Sequence, residues 1–296
     1  MLSTVGGNYR VFTKGETVNA SLRGRMKRGE RMRVLVGDDV LLHEHRDGSV
    51  TIEEITERRN VLKRRTPGKA RRTREVAANV DQVIVVGAGD RPAWDPHLMD
   101  RFLVVAEANH LPATVVVNKA DLTPDAESLG DAYRAAGYDV LVTSVPNASG
   151  IESLRRHLAG NVSLLTGATG VGKSTLLNAV QPGLSLRTAE VSRRSGAGRH
   201  TTTAAEMYPL NDGGFVVDTP GLRNIGLWGL DPLELGAAFP EFASWAPSCR
   251  FDNCRHVEEP GCAVSDAAAQ GKISQTRLDS YRKLLEESVQ AARHWE

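Results

Sequence analysis

Gly167-Ala168-Thr169-Gly170-Val171-Gly172-Lys173-Ser174 decides the reading of this chain, because its flanks turn a glycine-rich turn into a nucleotide site. The apolar run Leu164-Leu165-Thr166 leads in, and Ser174-Thr175-Leu176-Leu177-Asn178-Ala179-Val180 leads out with helical spacing. Strand, loop and helix therefore follow one another. In that setting the glycines let backbone N–H groups converge on the α- and β-phosphates of a nucleotide. Lys173 reaches the β- and γ-phosphates, Ser174 offers a hydroxyl to Mg²⁺, and Thr175 follows in the first helical turn.

Two further motifs identify the base and the switch. Asn118-Lys119-Ala120-Asp121 closes the apolar run 114–117. The Asp121 carboxylate can accept two hydrogen bonds from the guanine edge, which adenine does not offer in that geometry. Asn118 would brace the loops, and the Lys119 stem would cover the base. Thr143-Ser144, after the next strand, fits a second base-side loop. Asp218-Thr219-Pro220-Gly221 ends the apolar run 214–217, so Asp218 can hold Mg²⁺ through water while the Gly221 amide senses the γ-phosphate. Asp-x-x-Gly alone is expected about once by chance in a chain of this length; its place after the phosphate loop gives it weight. The order is base recognition, phosphate loop, switch. An ordinary GTP-binding domain begins with the phosphate loop, so this one is circularly permuted.

Leu222 follows Gly221, where many GTPases carry a water-orienting Gln. Leucine cannot orient water, so hydrolysis needs another group or runs slowly. The polar candidate is His200, in the stretch Gly196-Ala197-Gly198-Arg199-His200-Thr201-Thr202-Thr203, where a first switch loop belongs. Thr201 or Thr202 can supply the hydroxyl that caps Mg²⁺ when the γ-phosphate is present. The expected catalytic set is Lys173, His200 and these two threonines.

At 296 residues the chain exceeds one core, and two or three domains are expected. No stretch of about 18 apolar residues appears, so a soluble, cytoplasmic protein without a membrane partner is expected. The net charge of +1 conceals an asymmetry: residues 1–80 hold 18 Lys/Arg against 10 Asp/Glu. The front end suits an anion.

Residues 1–75 lack a helical period. Alternating stretches at 18–25, 32–36, 39–43 and 49–55 are punctuated by Gly37-Asp38 and Arg46-Asp47-Gly48-Ser49, which are turn chemistry. Four or five short strands predict a β-barrel of the oligonucleotide-binding (OB) type. From Asp81, apolar strands (82–86, 114–117, 140–142, 162–166) alternate with helices (96–109, 125–136, 151–158), which predicts a parallel sheet with helices on both faces over 76–228. After about residue 230 the strands stop, and helices, including one at 276–292, fill a third domain, 229–296.

All three cysteines, Cys249, Cys254 and Cys262, fall within fourteen residues, with His256 among them. Three thiolates and one imidazole complete a closed tetrahedral set for one structural Zn²⁺. An odd count in a cytosolic chain disfavours a disulfide, and the clustering disfavours buried free thiols. Two basic segments remain. Arg23, Arg25, Lys27 and Arg28 lie in a stretch with period-two character, and Arg64, Arg65, Lys69, Arg71 and Arg72 in the run 58–74, which has nine basic residues and no acidic one. A charge run is usually a solvated face. With only Tyr9 and Phe12 as aromatics nearby, contacts to RNA phosphates or duplex shape are favoured over base stacking.

The motif order, Gly198-Arg199-His200-Thr201-Thr202-Thr203, Asp218-Thr219-Pro220-Gly221, Gly261-Cys262-Ala263-Val264 and Asn79-Val80-Asp81-Gln82-Val83 together resemble the RsgA family of circularly permuted GTPases. The likeness runs from about Gly37 to the C-terminal helix. It implies an OB-type barrel, a permuted GTPase domain and a zinc-bearing helical domain. It also implies a monomer that converts GTP to GDP, binds the 30S subunit and its 16S rRNA, and acts late in subunit maturation with subunit-stimulated hydrolysis. Ala168-Thr169 depart from the family's usual Ser before Gly170, and Val145 from its usual Ala. An RNA-binding module that uses GTP only as a ligand, and a GTPase of another assembly pathway, stay open as alternatives.

Overall fold

The computed structural model describes residues 1–5, 7–23, 33–65, 73–184, 205–219 and 232–293. The N-terminal unit is a five-stranded sheet. Its strands are β1 (Ser3–Val5), β2 (Asn8–Thr13), β3 (Glu16–Leu22), β4 (Val40–Glu44) and β5 (Val50–Ile55), in the order β1-β2-β3-β5-β4. Neighbours are antiparallel except β3 and β5, which run parallel with Ser21 opposite Thr51. This Greek-key order is that of an OB-type barrel. Its core packs Met1, Val11, Ala20, Val34, Ile52 and Ile55. Alternation and turn residues carry this unit: Asp47 Oδ1 accepts from the Ser49 amide at 3.0 Å, and Gly48 takes φ +79° in the β4–β5 turn.

Two differences from the sequence reading appear here. The apolar run at 32–36 forms no strand among its described residues. Val34, Leu35 and Val36 are buried, but only Val36 makes an isolated bridge, to Ala77. The Leu35 amide is instead held by Asp38 Oδ2 at 2.7 Å, and Asp38 is paired with Arg58 at 2.6 Å. The basic run at 58–74 is in part a hairpin: β6 (Val61–Arg65) pairs antiparallel with β7 (Thr73–Ala78), straddling residue 75. Leu62 and Ala77 enter the core of the next unit.

That next unit is a six-stranded sheet of β8 (Gln82–Ala88), β9 (Ala113–Asn118), β10 (Asp139–Val142), β11 (Val162–Gly167), β12 (Glu206–Pro209) and β13 (Phe215–Asp218), in the order β10-β9-β8-β11-β13-β12. All pairs are parallel except β12 with β13. Strand side chains alternate between two cores. Val83, Val85, Val115, Leu164 and Val217 face helix α1 (Pro96–Ala108), while Ile84, Val86, Val116, Leu165 and Val216 face the opposite side. Helix α2 (Asp131–Ala135) lies between β9 and β10; α3 (Ile151–Leu158) and α4 (Lys173–Val180) cover the second face. The helix expected at 125–136 is broken. A 3-10 turn at Ser128–Gly130 precedes α2, and a Cβ at Gly130 would lie 2.6 Å from Val140 Cγ1, so close packing against β10 fixes a glycine there.

The barrel docks on the edge strand β12. The Met207 amide donates to the Leu2 carbonyl at 2.8 Å, and Phe12 meets Phe215 edge to face at 5.6 Å. The C-terminal unit holds α5 (Ala263–Ala269) and α6 (Gln275–Arg293) over a core with Phe239, Phe242, Leu278, Tyr281 and Leu284. Among the described residues no helix is long and apolar enough to cross a membrane.

Candidate functional site

Parallel strands aim their C-terminal ends, and the loops after them, at one edge of the sheet, where α/β folds bind ligands. There β11 runs into the phosphate loop. Gly167, Gly170 and Gly172 take φ of +138°, +86° and +94°. A Cβ at Gly167 would lie 2.1 Å from the Val86 carbonyl oxygen, and one at Gly172 would lie 2.6 Å from Asn118 Nδ2. The spacing of glycines is therefore dictated by the neighbouring strands β8 and β9 as much as by any ligand. Val171 between them is buried, whereas Thr169 and Gly170 face solvent. Lys173 Nζ donates to the Gly167 and Ala168 carbonyls, each at 2.7 Å, so its ammonium lies inside the loop. Ser174 and Thr175 sit in the first turn of α4.

The residues expected to recognise the base are joined to that loop by one side chain. Asn118, at the end of β9, is buried; its Nδ2 donates to the Val171 carbonyl at 2.8 Å and its Oδ1 accepts from Thr143 Oγ1 at 3.0 Å. It ties three loops together. Ser144 Oγ donates to Asp121 Oδ1 at 2.6 Å, which orients a carboxylate exposed at the surface. Lys119 takes φ +56°, and its ammonium donates to the Arg91 carbonyl. Asp218 ends β13 in register with Leu165 of β11, two residues before the phosphate loop begins.

The loop after β8 was not singled out by its sequence. Gly89 donates to the Asn118 carbonyl at 2.8 Å, and Pro92 Cδ lies 3.6 Å from where a Cβ on Gly170 would stand. Trp94 fills the space over Gly87, where a Cβ would lie 2.4 Å from the indole. Glycines at 87 and 89 were the available signal.

The four expected metal ligands are gathered. Cys249, Cys254, His256 and Cys262 place their donor atoms within 4.8 Å of one another, with His256 Nδ1 at 3.6 Å from Cys249 Sγ and 3.4 Å from Cys262 Sγ. Burial holds the His256 imidazole below its ordinary pKa, in the neutral form that ligates. Burial opposes ionisation of Cys262, but hydrogen bonds from Ser265 at the start of α5, together with those from the Cys254 and Cys249 thiols, outweigh it and lower that thiol. Burial, with the sulfurs of Cys262 and Cys249, pushes the Cys254 thiol up to about 12. Three sulfurs so close do not ionise together unless a cation stands among them. The donor set fits a tetrahedral metal with no open position.

Among the remaining expectations, His200, Thr201, Thr202, Gly221, Arg25, Lys27, Arg28, Lys69, Arg71 and Arg72 lie outside the described residues. Arg64 and Arg65 end β6, where only the backbone is described. Arg23 pairs with Glu53 at the barrel surface. A buried network went unread: Arg277 of α6 reaches Asp100 of α1 at 2.5 Å and Glu241 at 2.7 Å.

Comparison with known proteins places this geometry. Residues 55–228 match the family model described as RsgA GTPase. The chain is 46% identical over 289 residues to a protein of Gemmatimonas aurantiaca named small ribosomal subunit biogenesis GTPase RsgA, covering 95% of this chain and 94% of that protein. It is 41% identical to the protein of that name in Moorella thermoacetica, covering 98% and 96%. The crystal structure of YjeQ from Thermotoga maritima superposes with a TM-score of 0.81 at 34% identity, covering 97% of this chain and 96% of that one. That of YloQ, a circularly permuted GTPase, gives 0.76 at 30% identity, covering 98% and 93%.

Proposed function

The chain belongs to the RsgA GTPase family, and from that premise we propose that it binds the small (30S) ribosomal subunit through 16S rRNA and hydrolyses GTP late in the subunit's maturation, as a cytoplasmic monomer. The observation that carries this reading is the Asn118 clamp, which joins the base-recognition loops to the phosphate loop across the inverted chain order. The division into a barrel (1–75), a permuted GTPase domain (76–228) and a zinc domain (229–296) belongs to the same proposal.

In this reading Asp121, positioned by Ser144, accepts from guanine, Asn118 braces the loops and the Lys119 stem covers the base. The amides of residues 167–175 and Lys173 hold the phosphates. Ser174, Asp218 and Thr201 or Thr202 would hold Mg²⁺, which neutralises charge on the β- and γ-phosphates when bound. Their support is local: Ser174 sits in the first turn of α4 and Asp218 ends the strand beside the phosphate loop. His200 orients the attacking water, and Gly221 reports the γ-phosphate. Cys249, Cys254, His256 and Cys262 would hold one structural Zn²⁺, which fixes the fold around them. Arg23, Arg25, Lys27, Arg28, Arg64, Arg65, Lys69, Arg71 and Arg72 supply rRNA phosphate contacts, in keeping with the charge asymmetry of residues 1–80.

Co-sedimentation tests the partner. With a non-hydrolysable GTP analogue the protein should pellet with isolated 30S particles, and less with GDP. Equal pelleting with 50S particles, or none with either, would remove the small subunit from the proposal.

A further inference from the structure

The loop that follows β8 carries an exposed arginine, Arg91, beside the phosphate loop. Two contacts fix its backbone against both GTP motifs. The Lys119 ammonium donates to the Arg91 carbonyl, and the next residue, Pro92, stands 3.6 Å from the Cβ position of Gly170. Arg91 itself takes φ +52°, a left-handed conformation uncommon for residues other than glycine. The Arg91 amide is turned back onto Asp90 Oδ1 at 2.8 Å. Its side chain is 82% exposed, and its ion pair with Asp90 is loose, Oδ2 standing 3.6 Å from Nε. The chain thus holds the root of an arginine at the rim of the phosphate loop and leaves the guanidinium in water.

We propose that Arg91 is a phosphate-contacting residue for GTP hydrolysis, an arginine supplied in cis that folds over Gly170 onto the β- and γ-phosphates. The proposal rests on the GTPase reading. Its chemistry is electrostatic. The oxygen of water forms a bond to the γ-phosphorus as the bond to the β–γ bridging oxygen breaks. The electron pair of that bond leaves with GDP, and the water's protons end on inorganic phosphate and solvent. Arg91 makes and breaks no bond; it neutralises charge that grows on the leaving β-phosphate oxygens, the role an arginine finger performs elsewhere. Arginine rather than lysine suits the task because its planar fork can span two phosphate oxygens.

Single-turnover GTP hydrolysis, with and without 30S subunits, tests this on wild type, Arg91→Asn and Arg91→Lys. Asparagine tolerates the left-handed backbone, so the fold and the Lys119 contact survive. Arg91→Asn should lower the hydrolysis rate by about tenfold or more, leave GDP affinity within about twofold, and leave 30S pelleting unchanged. Arg91→Lys should not restore the rate. Hydrolysis within about twofold of wild type would overturn the proposal. So would a matching loss of GDP affinity, which marks a binding or folding defect, or a loss confined to 30S pelleting, which marks an RNA contact. If wild type itself releases no phosphate, the GTPase reading fails and not the assignment of Arg91.

Discussion

Arg277 and Asp100 face each other at 2.5 Å with both side chains shut off from solvent, and this pair welds the C-terminal helix to the first helix of the GTPase sheet. Glu241 completes the site at 2.7 Å, and the guanidinium stacks 4.6 Å over Phe239. Helix α1 thus carries the unit with the Cys249–Cys254–His256–Cys262 cluster on one flank. Its N-terminal end follows the loop that crosses the phosphate loop. Arg277→Met should strand two buried carboxylates and lower the unfolding free energy by about 3–5 kcal/mol, read by urea denaturation. A loss below about 1 kcal/mol would show that the weld is apolar packing alone.

The same pair gives a pH dependence. Burial, opposed by Arg277, raises the Asp100 carboxyl to about 6 from an ordinary 3.8. Between those values the folded protein keeps a proton that the unfolded chain has released, so this group's contribution to stability falls as pH rises from about 4 to 6. Asp100→Asn should flatten that part of the stability profile. An unchanged slope would place the titration elsewhere.

Asn118→Ala leaves the Val171 carbonyl and the Thr143 hydroxyl unpaired in a buried position. A cost of about 1–3 kcal/mol is expected, along with a drop in GDP affinity of about tenfold or more as the two halves of the site come apart. Titration of a fluorescent GDP measures it. Wild-type affinity would deny that Asn118 positions both loops.

Asp121→Asn exchanges an acceptor for a donor at the base edge. Guanine should be lost, and xanthine, which carries an oxygen where guanine carries its amine, should be gained. Competition between GTP and XTP for the site reads this out, and retained guanine preference would detach Asp121 from the base.

One zinc per chain is expected by elemental analysis. Cys254→Ser should lower that content and destabilise the 232–293 region by several kcal/mol, seen as faster hydrogen exchange there. Full exchange protection in the variant would make the cluster dispensable for the fold.

How much of this was legible depends on where the signal resides. Asn118, Asp121, Ser144, Gly167, Gly170, Gly172 and Lys173 fall in motifs whose spacing marks them in the sequence as candidates for phosphate and guanine, and the fold gathers them at one edge of the sheet. Residues 151–158 were read as a helix because the apolar positions Ile151, Leu154 and Leu158 share one face. The hairpin β6–β7 was not, because a run of arginines looks solvated while its pairing is decided by partners eight to seventeen residues away. The edge strand β12, four residues ending in Pro209, was too short to show alternation. Arg277 and Asp100 were invisible because lone charges on helices are usually exposed. Only the packing of two units, 177 residues apart in sequence, makes them a pair.

The most direct test is a time course of phosphate release from GTP with the protein alone, with 30S particles and with 50S particles. Alone, turnover of about 10⁻³ s⁻¹ or slower is expected, as for GTPases lacking a supplied catalytic group. With 30S particles the rate should rise by one to several orders of magnitude, and with 50S particles it should stay near the basal value. Equal stimulation by both particles, or none by 30S, would contradict a GTPase of the small ribosomal subunit.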